Sequence, residues 1–186
     1  IEAFFDKINH DTLISILSER IKDERFLRLI RKFLNAGYIE DWKFYKTYSG
    51  TPQGGIISPI LANIYLDKLD KYIKSYTKYF EKGIRREHNP EYGRLQKDIR
   101  KCERQIEKSK NEDDKKVLID KLKELKIKRK SMPSKNEMDS NFKRLRYERY
   151  ADDFIIGVIG SKEDCKKIKE DIKIFLAEKL QLTLSD

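Results

Sequence analysis

Apolar positions recur along this chain at two spacings, and the changes between them mark its elements. Ile1 to Phe5 is short, apolar and aromatic, and reads as the end of a buried strand. Asn9 or Asp11 then offers an N-cap to a helix carrying Leu13, Ile14, Leu17 and Ile21, whose spacing puts Leu13, Leu17 and Ile21 on one face. A second helix carries Phe26, Leu27, Ile30, Phe33 and Leu34 and stops near Gly37. Tyr38 to Ser49 is aromatic and alternates in places, as strands do. Gly50-Thr51-Pro52-Gln53-Gly54-Gly55 breaks regular structure and predicts a loop. Pro59 suits the first turn of a helix running to about Phe80.

The character of the chain changes at Glu81. Its apolar residues then thin to Leu95, Ile99, Cys102 and Ile106, a helical spacing. They resume, after the polar break Ser109 to Asp114, at Leu118, Leu122 and Leu125. This predicts two short helices folded back as an antiparallel hairpin with a narrow apolar seam. A solvated segment that orders only with a partner is the other reading of this composition. After Pro133 the compact pattern returns. Arg144 to Tyr150 alternates charge with Leu145 and Tyr147, and Phe154 to Ile159 reads as a buried apolar strand. Ser161 caps a helix with the face Ile168, Ile172, Phe175 and Leu176, and Leu182 to Leu184 begins another strand. The pattern divides the chain into 1–80, a basic helical insertion over 81–143, and 144–186.

Composition sharpens this division. The 186 residues carry 42 Lys/Arg and 32 Asp/Glu, a net charge of +10. Between Glu81 and Arg146 stand 22 Lys/Arg and 13 Asp/Glu, so nearly all of the excess lies there. Such a balance points to a polyanionic partner, nucleic acid or an acidic membrane surface. The seam is too narrow and regular for an interfacial helix, and no apolar run approaches the ~20 residues of a membrane span. Two cysteines and two histidines make neither a disulfide framework nor a Cys/His zinc site, and fit a reducing compartment. Without an initiator Met, the numbering is expected to start inside a longer protein.

Three segments carry candidate chemistry. In Arg149-Tyr150-Ala151-Asp152-Asp153-Phe154-Ile155-Ile156-Gly157, two adjacent carboxylates stand at the tip of an apolar hairpin. Like charges this close repel unless a cation neutralises them, and a hard divalent ion with oxygen ligands does so. Asp also favours turns for local hydrogen-bonding reasons, so the pair alone does not choose between the two readings. In Gly50 to Asp67, a glycine-rich loop feeds a helix N-terminus, where free amides favour anions, and Gln53 both donates and accepts hydrogen bonds. In Ile1 to His10, the aromatic pair reads as core and His10 as a helix-start residue, since no second ligand stands at metal spacing.

In this order the three segments resemble the palm of a reverse transcriptase, and most closely the group II intron-encoded reverse transcriptase/maturase family. Tyr150-Ala151-Asp152-Asp153 is similar to that family's active-site turn, and Gly50 to Asp67 to its template- and nucleotide-positioning motif. Ile1 to His10 resembles the motif that supplies the first catalytic carboxylate, whose aspartate stands just before Ile1 in the family. The resemblance covers 1–70 and 144–186; the middle corresponds to a lineage-variable insertion. It implies an α+β fold, a palm whose antiparallel sheet is backed by helices. It also implies an incomplete palm that does not polymerise alone, without the fingers, primer-grip and thumb segments.

The resemblance further implies RNA-directed DNA synthesis with two Mg2+ ions (Mn2+ as a substitute) and dNTP substrates. Asp152 would be the main metal ligand, Asp153 a supporting one, and the Ile1 carbonyl a further oxygen. The amides of Ala3 and Phe4 would face the triphosphate. Phe5 would gate against a 2′ hydroxyl, with Phe4 as second choice. Gln53 would sit near the sugar, with Pro52 and Gly54 shaping the loop. Arg85, Arg86, Arg94, Arg100, Lys101, Arg104, Lys126, Lys128, Arg129 and Lys130 are candidates for gripping RNA phosphates. The other readings of that segment are a solvated surface and a homodimer formed through its seam. The implied partners are group II intron RNA and an RNA template with a DNA or RNA primer, in a bacterial cytoplasm or an organelle. A splicing-only maturase scaffold and a retron or CRISPR-associated enzyme are the competing functions.

Overall fold

The computed structural model describes residues 1–40, 42–45, 49–51 and 56–185. In chain order its elements are α1 (Phe4–Lys7), α2 (His10–Ser18), α3 (Glu24–Asn35), β1 (Tyr38–Glu40), β2 (Lys43–Tyr45), α4 (Ser58–Phe80), α5 (Pro90–Lys108), α6 (Glu112–Lys130), β3 (Arg144–Tyr150), β4 (Asp153–Ile159) and α7 (Lys162–Leu180). The fold is α+β, helices with, among the described residues, two small antiparallel sheets, β1-β2 and β3-β4. The chain divides into two compact units, Ile1–Glu81 with Arg144–Asp186, and Lys82–Lys143.

In the first unit the helix starts follow local chemistry. Asn9 caps α2 by accepting from the Thr12 amide at 2.9 Å, and Asp23 caps α3 by accepting from the Arg25 and Phe26 amides. Pro59 stands in the first turn of α4, and Ser161 and Asp164 form a capping box on α7. The core is built around α4, whose Leu61, Ala62, Tyr65, Leu66, Leu69 and Ile73 are buried. This helix packs against α2, β3 and α7. Tyr65 is fully buried and donates its hydroxyl to the Leu180 carbonyl at 2.6 Å, which satisfies the one polar atom it takes inside. Tyr72 stacks on Phe175 of α7 with ring centroids 4.0 Å apart. In α3 only Ile30 and Leu34 of the predicted face are buried, while Phe26 and Phe33 are exposed.

Three expectations are corrected. Phe4–Lys7 is a helical turn, not a strand end: the Ala3 carbonyl accepts from the amides of Asp6 and Lys7, and Ala3 has a φ of 46°. Burial of Phe4 edge-on to Tyr65 outweighs the strand preference of an aromatic pair. Nor is β4 buried throughout. Phe154, Ile156 and Val158 lie opposite Arg149, Tyr147 and Leu145 on the packed face, while Ile155 is 71% exposed. An antiparallel hairpin packed on one side leaves the other face in water. Leu182 to Leu184 forms no strand; Leu182 is buried and the Thr183 carbonyl accepts from the Glu2 amide at 3.1 Å.

In the second unit, α5 and α6 are joined by Ser109 to Asn111, a link short enough to force antiparallel neighbours. Asn89 and Asn111 cap them. The first turn of α6 holds Glu112, Asp113 and Asp114 and its last turn Lys128, Arg129 and Lys130, the arrangement its macrodipole favours. Leu95, Ile99 and Cys102 of α5 are buried, and α6 buries no residue; its Leu118, Leu122 and Leu125 are half-buried. A neck closes the unit. Lys82 and Lys143 exchange backbone hydrogen bonds, and His88 pairs with Lys135. Gly83 has a φ of 73°, and a Cβ there would stand 2.4 Å from the Asn141 carbonyl oxygen. Asp139 accepts from the amides of Glu87 at 2.7 Å and Asn141 at 2.8 Å, and these bonds hold its carboxyl below the usual range.

Candidate active site

The β3-β4 hairpin closes through a two-residue turn, Ala151-Asp152, between the paired Tyr150 and Asp153. Tight hairpin turns of this length call for positive φ, and Ala151 supplies it at 53°. For a residue with a Cβ that conformation costs about 1–2 kcal/mol. The turn therefore holds a strained backbone beside two carboxylates. Asp152 is half-buried, and Asp153 stands exposed on the same side of the sheet as Tyr150 and Ile155. Among the described residues neither carboxylate has a cationic side chain as partner, and no three His, Cys, Asp or Glu gather to hold a metal. Two adjacent, uncompensated carboxylates fit a hard divalent cation as oxygen donors. Two carboxylates are fewer oxygen donors than the roughly six such an ion takes.

The other two motifs converge on this end of the unit. The Ile1 nitrogen lies 3.4 Å from the Asp152 carbonyl oxygen, so the first motif begins beside the turn. The second motif lies on the first. Gly50 donates its amide to the Ile8 carbonyl and Thr51 to the Phe5 carbonyl, each at 2.7 Å, and Ser49 Oγ donates to the Asp6 carbonyl. Gly50 has a φ of 83° and is so close that a Cβ would stand 2.4 Å from the Phe5 carbonyl oxygen. His10, at the first position of α2 and buried, donates from Nε2 to the Gly50 carbonyl at 2.7 Å and meets Asn35 Oδ1 through Nδ1. Pro52, Gln53 and Gly54 lie outside the described residues. Ala3 is exposed, the Phe4 side chain is core, and Phe5 is half-buried with its ring 5.3 Å from that of Phe4.

A set of residues not singled out from the sequence braces the turn. Arg149 Nε and Nη2 bind the two carboxylate oxygens of Asp70 at 2.9 and 2.6 Å. Its Nη1 reaches Asn63 Oδ1 at 3.1 Å and the Ala151 carbonyl at 2.7 Å. Tyr147 donates its hydroxyl to Asp70 at 2.7 Å. Burial alone would raise the Asp70 carboxyl, but the Arg149 fork and the Tyr147 hydroxyl hold it below the usual range. Arg149 is pushed up by Asp70, and Tyr147 well above the ordinary phenol by burial and by the Asp70 carboxylate. A sequence signal existed: period-two alternation puts Arg149 on the inner face with Leu145 and Tyr147, and an inward charge needs a partner.

In the basic unit, Arg85, Arg94, Arg100, Lys101, Arg104, Lys128 and Lys130 are exposed, and Arg129 is half-buried. Arg86 stands over the Phe142 ring at 5.7 Å, and Lys126 pairs with Glu103 at 3.0 Å. Arg100, Lys101 and Arg104 line a shallow cleft along α5 together with Lys97 and Lys108, residues spaced to share one helix face.

Residues 1–89 match the family model for reverse transcriptase (RNA-dependent DNA polymerase). Over its whole length the chain is 46% identical to the Group II intron-encoded protein LtrA of Lactococcus lactis subsp. cremoris. The chain belongs to the group II intron-encoded reverse transcriptase/maturase family. It is also 42% identical, over 97% of its length, to the putative COX1/OXI3 intron 2 protein of Saccharomyces cerevisiae, and 28% identical over its whole length to the Escherichia coli protein YkfC. It spans 30% of LtrA, 20% of the yeast protein and 40% of YkfC. As a member of this family it carries the reverse transcriptase motifs on a mixed helix-and-hairpin scaffold. Among the described residues no helix is long and apolar enough to cross a membrane.

Proposed function

We propose that this segment is the palm of an RNA-directed DNA polymerase that also serves splicing by binding intron RNA. The observation that carries the reading is the convergence of three motifs at one end of the first unit: Ile1 beside Asp152, and Gly50-Thr51 laid on Phe5 to Ile8. Asp152, Asp153 and the Ile1 carbonyl would hold Mg2+ or Mn2+. When bound, a pair of such ions activates a primer hydroxyl and steadies the leaving pyrophosphate of a dNTP. The chain's own residues orient the reactants. The Ala3 and Phe4 amides face the triphosphate, and Phe5 lies under the sugar as a gate against a 2′ hydroxyl, since the Phe4 side chain is committed to the core. Gln53, with Pro52 and Gly54, meets the nucleotide from the second motif. Ala151, small beside the carboxylates, leaves room for the primer end.

Residues 82–143 grip structured intron RNA or the template-primer through phosphate contacts from Arg85, Arg86, Arg94, Arg100, Lys101, Arg104, Lys126, Lys128, Arg129 and Lys130. Primer extension by the full-length protein tests the catalytic reading. Asp152→Ala is expected to abolish extension with the melting temperature unchanged, and Phe5→Val to raise ribonucleotide incorporation. Losing a metal ligand costs several kcal/mol in the barrier, so Asp152→Ala activity above about one per cent overturns the ligand role.

A further inference from the structure

The carboxylate pair stands at the tip of a two-stranded hairpin, and such hairpins are not stiff by themselves. Its turn also contains Ala151 in a strained backbone conformation that would relax if released. One side chain ties this tip to α4, the helix around which the core of the unit is built. We propose that Arg149 is a positioning residue that sets the placement of Asp152 and Asp153 by locking the Ala151 carbonyl to α4. The inference rests on the polymerase reading for its functional consequence, not for the lock itself.

The geometry uses all three guanidinium nitrogens. Nε and Nη2 form a fork on both oxygens of Asp70, and Nη1 is shared between Asn63 and the Ala151 carbonyl. Asn63 and Asp70 stand seven residues apart on α4, close to two full turns, so they lie on one face of a stiff rod. That rod is anchored on the core side by Leu66, Leu69 and Ile73. The Arg149 side chain is only 12% exposed, so water competes weakly for its hydrogen bonds. Tyr147, on the same strand face, donates to the same Asp70 oxygen that Nε binds and keeps that carboxylate oriented. A lysine keeps the charge but has neither the planar fork nor a second nitrogen to reach Ala151. The Ile1 nitrogen also reaches the Asp152 carbonyl, but at 3.4 Å, longer than the 2.7 Å of the Arg149 contact, and among the described residues the Asp152 and Asp153 side chains bind no cationic group. Arg149 therefore fixes the backbone of the turn and leaves both carboxylates free to take a ligand.

The test compares Arg149→Lys with the unaltered full-length protein in two assays. The first, without metal or substrate, is amide hydrogen exchange across Ala151–Asp153. Exchange there is expected to quicken at least about tenfold, with the core amides of α4 unchanged. The second is single-nucleotide addition. The rate constant kcat is expected to fall on the order of tenfold to a hundredfold with KM for the dNTP little changed, as for a misplaced reacting group. Asp70→Asn, which keeps the shape of the partner, takes its place if Arg149→Lys does not fold. Unchanged exchange at the turn overturns the lock. Quickened exchange with unchanged kcat overturns the positioning role. A lower melting temperature with kcat per folded molecule preserved does so too, because the contact is then structural only. Should the unaltered protein extend no primer, the polymerase reading fails, and exchange at the turn by itself still decides the lock.

Discussion

Among the described residues of the unit made of 1–81 and 144–186, eighteen apolar side chains are buried in one cluster; in 82–143 the buried apolar residues are Leu95, Ile99 and Cys102. Charge runs the other way. The first unit carries 22 Lys/Arg against 20 Asp/Glu, the second 20 against 12. The same chain thus stabilises its two parts by different means. The first excludes water from a continuous core and can hold strained backbone at Ala3 and Ala151. The second relies on local devices: Asn caps at both helices, charges that complement the α6 dipole, and a neck closed by backbone bridges and Asp139. Geometry suited to chemistry needs the first kind of support. A surface that meets phosphates over a wide area needs only exposed cations on a scaffold that stays folded.

The sharpest way to break this comparison is to make the same kind of cavity in each unit. Leu176→Ala, at a fully buried site of α7, is expected to cost about 2–5 kcal/mol, read as a lower melting temperature. Ile99→Ala should fall at or below the low end of that range, because its partners on α6 are half-buried and able to close in. Equal losses would show that the basic unit has a core as demanding as the other. Next in size is a binding effect. Replacing Arg100, Lys101 and Arg104 together by Gln is expected to lower RNA affinity and to flatten log K against log salt by about 2–3 units of slope, with the melting temperature unchanged. An unchanged slope would mark α5 as a solvated face.

The smallest expected effect is on the neck. Asp139 has a carboxyl held below its unfolded value, so its contribution is complete above about pH 4 and is lost as pH falls through the lower folded value. NMR shifts of the Glu87 and Asn141 amides should report that loss before the α4 amides change. Simultaneous change would mean that the two units unfold as one.

Much of the secondary structure was legible because its signals are local. Asn9 and Ser161 mark helix starts through bonds to amides three residues away, Pro59 does so through its fixed φ in the first turn, and the helical spacing of Ile168, Ile172 and Leu176 states which face is buried. Where a decision depends on what packs opposite, the sequence was silent. Phe4 and Phe5 have strand propensity, yet the burial of Phe4 against Tyr65 leaves them on a helical turn. Ile155 is as apolar as Ile156, and only the one-sided packing of the hairpin separates them.

The candidate site divides along the same line. Residue type and order by themselves determined the paired carboxylates of Asp152 and Asp153, the glycine at position 50, the concentration of charge in the middle of the chain and the family to which they point. The tertiary structure alone decided that Gly50 rests on the backbone of Phe5 and that Arg149 reaches Asp70, 79 residues away, to hold the turn. Caps and periodicities act within one or two helical turns and so leave a trace in spacing. A guanidinium that bridges a strand and a distant helix leaves none, because its partner is chosen by packing.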